Sequence, residues 1–453
     1  MVFAYFRVRR FYRSGVFFAL CCSTLNTLAD GINGNGAGAQ SMAMGGADVA
    51  WAGDSLSAMG DNPAGLGFFT APELELGGVG GVVQGQFNKP GISNGTLNES
   101  PNGLPEGAFT LPLRKWPITL GLSFVPESTL LADWHYVDPP GGLGGTTSYG
   151  YQQEKSEIIV LRSAIGAGVK INSRLSFGAS VGLVYNENEL DAPYIFQNLQ
   201  PGPGGPKNSS LDGAKTLLNL HTTGFGWNGQ AGLIFRATPD LQFGVAYQSE
   251  TRVDTRGNAS GDPSVQFGLP PGSLPFNYDA NVRNIFPQEA SAGLSWKFHP
   301  QWRLALQADW IDWADSFHTL PISLTDGNNS KVNAALGSSF SDSVPLDWKD
   351  EFVCRAGLEF NLTKNFALRG GYCHGNSPVP DSTLTPLTAA IMENTLTAGV
   401  GYHWGRYEIN LAYQYSFPAT QNAGVSGLRS GEYSNSSTEV SANVIAIDMG
   451  AHF

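Results

Sequence analysis

Beyond its N-terminal segment, the 453-residue chain has no apolar run near the about 20 residues that a membrane-crossing helix needs. Helical spans are therefore excluded. Charge is sparse, at 14% of residues, and the balance is acidic: 26 Lys and Arg against 38 Asp and Glu. Nucleic-acid binding depends on basic patches, and none is present. Only four cysteines occur, Cys21, Cys22, Cys354 and Cys373. The first two fall in an N-terminal segment read below as removed. The last two sit on consecutive candidate strands. Cys354 falls on a face with Phe352, Leu358 and Phe360, whereas Cys373 shares one with Arg369. Matching the apolar faces puts the thiols on opposite sides of the sheet, so no disulfide is expected. There is also no blade-length repeat and no domain linker, which argues against a propeller or a chain of soluble domains.

Catalytic patterns are as scarce. Gly178-Ala179-Ser180-Val181-Gly182 has the form of a nucleophile elbow, but it lies inside an alternating strand rather than at a strand–turn–helix corner. Gly34, Gly36 and Gly38 precede no dinucleotide-binding unit. The seven histidines (135, 221, 299, 318, 374, 403 and 452) show no metal-ligand spacing. No enzyme, cofactor or metal is expected.

What is present begins with an export signal. Arg7, Arg9, Arg10 and Arg13 precede a short apolar stretch, Val16 to Cys22, and a polar region ending in Ala29. This is the layout of a cleaved secretory peptide, with residues 1–29 removed. Leu20 is too bulky to precede a lipid-modified Cys21. Cleavage leaves 26 − 4 = 22 basic residues against 38 acidic ones, a charge of −16.

The rest of the chain alternates. Counting back from Phe453, Ala451, Met449, Ile447 and Ile445 share one face, while His452, Gly450, Asp448 and Ala446 share the other. A terminal strand ending in Phe resembles the signal by which outer-membrane barrels are recognised for assembly. Fourteen such segments follow: 73–87, 105–113, 117–126, 154–170, 174–190, 217–236, 241–255, 284–298, 302–317, 346–362, 366–376, 392–403, 407–416 and 441–453. Short turns alternate with long loops rich in Pro, Gly and Asn. The expectation is an all-β fold: an antiparallel transmembrane β-barrel over 73–453, its long loops extracellular and its short turns and both termini periplasmic. Trp302, Trp310, Trp313, Trp348, Tyr402 and Trp404 lie near strand ends, as interfacial girdles do.

Residues 30–72 break the alternation. They are rich in Gly and Ala, with short helical stretches, and suit a plug packed in a narrow lumen. Ala43-x-Gly45-Gly46-Ala47, then Asp54-x-x-Ser57-Ala58 and Asn62-Pro63-Ala64-Gly65-Leu66 resemble the N-terminal hatch of the FadL/TodX family. Leu368-Arg369-Gly370-Gly371-Tyr372 followed by Ser377-Pro378-Val379-Pro380-Asp381 extends the resemblance. The resemblance implies a fourteen-stranded barrel with a lumenal hatch, and passive outer-membrane transport of hydrophobic molecules, long-chain fatty acids first. It further implies outer-membrane lipid as surroundings, the barrel-assembly machinery during biogenesis, and a monomer. Gly45, Gly46, Asp54, Asn62, Pro63 and Ala64 are the expected hatch residues. Tyr194 and Phe196 offer apolar capture surface, and Arg162, Arg355 and Arg369 are placed to meet a substrate carboxylate, although Glu359 faces Arg369 across the hairpin. A kink is expected in the third strand, near Pro117, Gly121 or Pro126. Aromatic-hydrocarbon uptake, a docking role in a secretion system and an ion-conducting porin are the alternatives.

Overall fold

The alternating segments close on themselves. The structure is a computed structural model and describes residues 32–202, 205–207 and 209–453. The expected export signal lies outside those residues. We number the strands of the ring in chain order: β1 Glu73–Lys89, β2 Asn102–Pro112, β3 Ile118–Val137, β4 Tyr151–Lys170, β5 Leu175–Ile195, β6 Lys215–Arg236 and β7 Leu241–Gln248. Then come β8 Glu289–His299, β9 Trp302–Ile311, β10 Glu351–Asn361, β11 Phe366–Gly375, β12 Asn394–Trp404, β13 Tyr407–Asn422 and β14 Ser437–His452. Each pairs antiparallel with the next, and β14 pairs with β1 from Glu73↔His452 to Asn88↔Ser437, which completes a closed fourteen-stranded barrel. Closure satisfies every backbone group without water, as a wall in hydrocarbon requires.

Side chains follow the pleat. On β14, Ile445, Ile447 and Met449 are 54%, 47% and 53% exposed, while Ala446 and Asp448 between them are buried. Leu76, Leu122, Ile165, Trp227, Leu306 and Leu396 continue the outward apolar band around the ring. Leaving such side chains in water would forfeit about 1.5–3 kcal/mol each. Against lipid they cost nothing. On the hairpin of β10 and β11, Cys354 faces out and Cys373 is buried, the opposed placement that the register argument gives.

Tight turns close one end, as at Gly405-Arg406 between β12 and β13. The other end carries a thick cap. Thr251–Asp262 pairs with Phe276–Phe286 and with the outer end of β6, and Thr319–Thr325 and Phe340–Pro345 add to the same layer. Here the structure corrects several expected bounds. The segment expected over 241–255 is two strands, because β7 ends at Gln248 and the following strand joins the cap. Its alternation, Val253, Thr255 and Ala259 buried, is that of any half-buried strand. The strand expected over 302–317 stops at Ile311, where Asp312 caps a helical turn, Trp313–Ser316. Strand β3 runs eleven residues further than expected, to Val137. Trp313 and Trp348 are buried, at 0% and 5% exposure, in an aromatic cluster with Phe317 under the cap, not in a girdle.

Candidate functional site

Residues 32–72 fill the lumen. Helix α1 (Gly38–Ala43) lies against β11 to β14 and β1, helix α2 (Ser55–Gly60) against β1 to β3, and a 3-10 turn, Pro63–Phe68, against β3 to β6. Their caps are written in the sequence. Asp54 accepts from Ser57 N at 2.7 Å and starts α2, and Asn62 accepts from Ala64 N at 3.0 Å, with Pro63 first in the turn. Asn62 Nδ2 also donates to Val49 O at 2.6 Å. Gly45 and Gly46 have φ of +69° and +71°, a region that favours glycine. Burial pushes the Asp54 and Asp61 carboxyls well above the usual range. Asp54 is nonetheless held by Gln40 Nε2 at 2.5 Å.

The wall meets this plug in two ways. Acids on the lumen face take the unpaired N-terminal amides of both helices. Ser55 N donates to Glu73 at 2.8 Å and Leu56 N to Glu75 at 3.0 Å; Gly38 N reaches Glu106 at 3.3 Å and Ala39 N Asp448 at 2.7 Å. These donors have no partner inside a helix, so negative wall charge suits them. Elsewhere the wall has no side chain at all. A Cβ on Gly178 would lie 2.0 Å from Pro63 O, on Gly244 2.2 Å from Val49 O, and on Gly371 2.2 Å from Gly45 N. These wall glycines are thus the imprint of the plug.

Above the plug lies an apolar cavity of about 170 Å³. Leu130 of β3, Ile158 of β4, Leu190 and Tyr194 of β5, Leu320, Leu346, Trp348 and Leu387 line it, as does Ile32 at the start of the described chain. Its acids are Glu157, Glu189 and Glu432, and among the described residues no Lys, Arg or His lines it. Two nearby cations are already shared. Lys155 lies 3.2 Å from Glu157 and 2.9 Å from Glu189, and the fully buried Lys215 lies 2.5 Å from Asp138 and 2.7 Å from Glu432. Burial raises the Glu432 carboxyl to about 7 despite Lys215, and raises Asp138 as well. That cluster ties two cap loops together.

Between cavity and wall, β3 is irregular. Its pairing with β4 slips between Pro126 and Ser128, and β2 pairs with it only as far as Phe124. Plug residues fill the break: Gly34 N donates to Glu127 O at 3.2 Å and Thr129 N to Ile32 O at 2.8 Å. A polar chamber of about 120 Å³ adjoins it, lined by Asp61, Glu127, Arg162, Gln248 and Arg355 among others. Of the three positions expected for a third-strand kink, only Pro126 adjoins this register shift; Pro117 and Gly121 do not.

The residues singled out from sequence do not form one site. Tyr194 lines the cavity and donates to Asp342 at 2.6 Å, while Phe196 is buried beside it, edge-on to Tyr194 and Phe340. The arginines sit lower and are engaged with plug and wall. Arg162 donates to Asn228 and Ser180 at 2.8 Å and to Met59 O at 3.3 Å. Arg355 pairs with Asp309 at 2.6 Å and reaches Asn35, and Arg369 pairs with Glu359 at 3.0 Å and Gln40 at 2.5 Å. Ser180 of the elbow-like pattern is mid-strand in β5 with Arg162 on its hydroxyl. Sequence reasoning missed the four wall acids. Their signal was an acid on the polar face of an alternating strand, as at Asp448.

Comparison with known proteins agrees with this architecture. Long-chain fatty acid transport proteins of Escherichia coli strain K12 and of Salmonella typhi are 21% and 22% identical, each over 82% of this chain and 84% of their own length. Among solved structures, the Pseudomonas putida toluene transporter TodX superposes with a TM-score of 0.73 at 21% identity, covering 92% of this chain and 99% of its own. A Pseudomonas aeruginosa FadL homologue gives 0.71 at 15% identity, covering 94% and 100%. These structural likenesses speak to the fold. The sequence model for outer membrane transport proteins of the OMPP1/FadL/TodX group matches residues 20–453, and the chain therefore belongs to that family.

Proposed function

We propose that this barrel passes uncharged hydrophobic molecules of roughly monoaromatic size across the outer membrane, capturing them in the cavity under the cap. The observation that carries this reading is the lining: apolar and aromatic side chains, three carboxylates and, among the described residues, no cation. An ionised carboxylate entering there would exchange water for a site without a counter-charge, which is unfavourable. Size agrees. The cavity is about 170 Å³, and an apolar cavity of about 150 Å³ holds benzene. The plug blocks free flow of ions, so the barrel is no open porin. Cargo leaves where β3 breaks register, once residues 32–34 withdraw from Glu127 and Thr129. In this account Arg162, Arg355 and Arg369 are struts between plug and wall. The long-loop end faces the exterior and the short-turn end the periplasm.

Long-chain fatty acid, the expectation from the sequence, is the second reading, favoured by the names of the curated relatives. Titration of the purified full-length barrel with toluene and with hexadecanoate, followed by tryptophan fluorescence, separates the two. Trp348 in the lining is the reporter. Saturable toluene binding, unaffected by competing hexadecanoate, is the expected result. Tight hexadecanoate binding that toluene cannot displace would overturn the proposal in favour of the fatty acid.

A further inference from the structure

Away from cavity and plug, the described residues bring one set of metal-binding side chains together. Donor atoms of His403, Glu408 and His452 all lie within 4.8 Å of one another. Strand register does this, which is why spacing along the sequence hid it. His403 and Glu408 are direct partners on β12 and β13, so their side chains leave the same face. Glu408 stands opposite Gly450 on β14, and His452, two residues on, emerges on that face again. Gly450 makes the room. A Cβ there would lie 2.7 Å from Glu408 Cγ and 2.9 Å from its Oε1, so a side chain would push the carboxylate out of its place.

The second histidine is already oriented. His452 Nδ1 lies 2.9 Å from Glu73 Oε2, while its Nε2 points towards Glu408, 3.7 Å away. A proton on Nδ1 donated to Glu73 leaves the Nε2 lone pair aimed into the group. A carboxylate behind the far ring nitrogen is the arrangement that fixes the tautomer of metal-bound histidines. The rings of His403 and His452 stand 5.8 Å apart at 59° and converge on Glu408 from two sides. Exposure of His403 keeps the cluster open to solvent.

We propose that His403, Glu408 and His452 form a site for a divalent transition-metal ion, zinc above all, at the short-turn end of the lumen. Two imidazoles and one carboxylate suit zinc, whereas magnesium and calcium prefer all-oxygen shells. Water fills the remaining position. The site is linked to the plug, because Glu73 Oε1 accepts from both Ser55 N and Ser55 Oγ at 2.8 Å. A metal held by His452 therefore stiffens Glu73, and through it the start of α2.

The test uses the full chain in detergent, without a polyhistidine tag, stripped with a chelator and titrated with zinc chloride at neutral pH by calorimetry. One zinc per chain is expected, with magnesium chloride giving no saturable heat. Cobalt(II) should give the visible bands of a tetrahedral ion. His403→Ala and Glu408→Gln should each abolish saturable binding, and Glu73→Gln, which keeps an amide oxygen for Ser55 but takes the carboxylate from behind His452, should weaken it about 10–100-fold. His403 is exposed at the rim, so stripped His403→Ala should melt where the stripped parent does. Absence of saturable zinc binding would overturn the proposal and leave His452 as an ion-pair partner of Glu73 and Glu408. Equal binding by His403→Ala would overturn it too.

Discussion

The wall glycines make the fit between plug and barrel testable by adding one methyl group at a time. Gly178 of β5 touches the turn at Pro63–Ala64, and Gly371 of β11 touches the chain at Met44–Gly45. An alanine Cβ would sit 2.0 Å from Pro63 O in one and 2.2 Å from Gly45 N in the other, in both cases against backbone. Overpacking of this kind costs about 1–3 kcal/mol per site. The two sites share no partner, so Gly178→Ala with Gly371→Ala should cost about 2–6 kcal/mol. Against this stand four amide bonds to Glu73, Glu75, Glu106 and Asp448, each worth about 1.5–3 kcal/mol. One methyl should loosen the plug and two, at the upper end of that cost, should match the weakest sum of its anchors, raising the displaced population roughly 30- to 20,000-fold. Planar-bilayer conductance reads this directly. The parent and Gly229→Ala, whose Cβ would meet nothing nearer than Ser180 O at 4.0 Å, should stay closed, and the double variant should conduct. A folded double variant that stays closed, with parent-like amide protection over residues 38–66, would refute the reasoning.

Other expectations follow from the cap. Glu432 has a folded-state pKa of about 7 against an ordinary 4.5, so the folded cap holds an extra proton between those values. Its stability therefore falls as pH rises from about 4.5 to 7, by about 3 kcal/mol at most, with Asp138 acting in the same direction. Hydrogen exchange over 423–436, corrected for intrinsic rates, should show more protection at about pH 5 than at pH 8; equal protection would contradict this. Lys215→Met leaves Asp138 and Glu432 buried without their cation and should destabilise the cap by about 3–5 kcal/mol, seen as early proteolysis of the cap loops. Thr388 lines the cavity, so Thr388→Trp places an indole in it and should abolish toluene binding without changing the melting temperature of the barrel; unchanged binding would mean that the cargo sits elsewhere.

The ring was legible because hydrocarbon outside and a plug inside impose a strict period of two, as the Ile445–Met449 stretch shows. Asp54, Asn62 and Pro63 were singled out only as hatch residues; in the structure they cap and open the plug's turns by acting on neighbours in sequence. What stayed hidden depends on partners far along the chain. The strand over 251–262 alternates like a ring strand, and only its pairing with β6 and Phe276–Phe286 assigns it to the cap. The arginines were read as ligands because a buried charge in a lumen invites a counter-ion. Their counter-ions are Glu127, Asp309 and Glu359, supplied by the protein itself. The grouping of His403, Glu408 and His452 exists only through the β12–β13–β14 register.

The most direct test of the transport account is uptake itself. Cells lacking their own outer-membrane transporters for hydrophobic compounds are given this chain, and entry of labelled toluene is timed beside labelled hexadecanoate. The account predicts faster toluene entry that Thr388→Trp abolishes, with no rise in ion conductance. Toluene entry unchanged by the chain, or faster entry that survives Thr388→Trp, would contradict it.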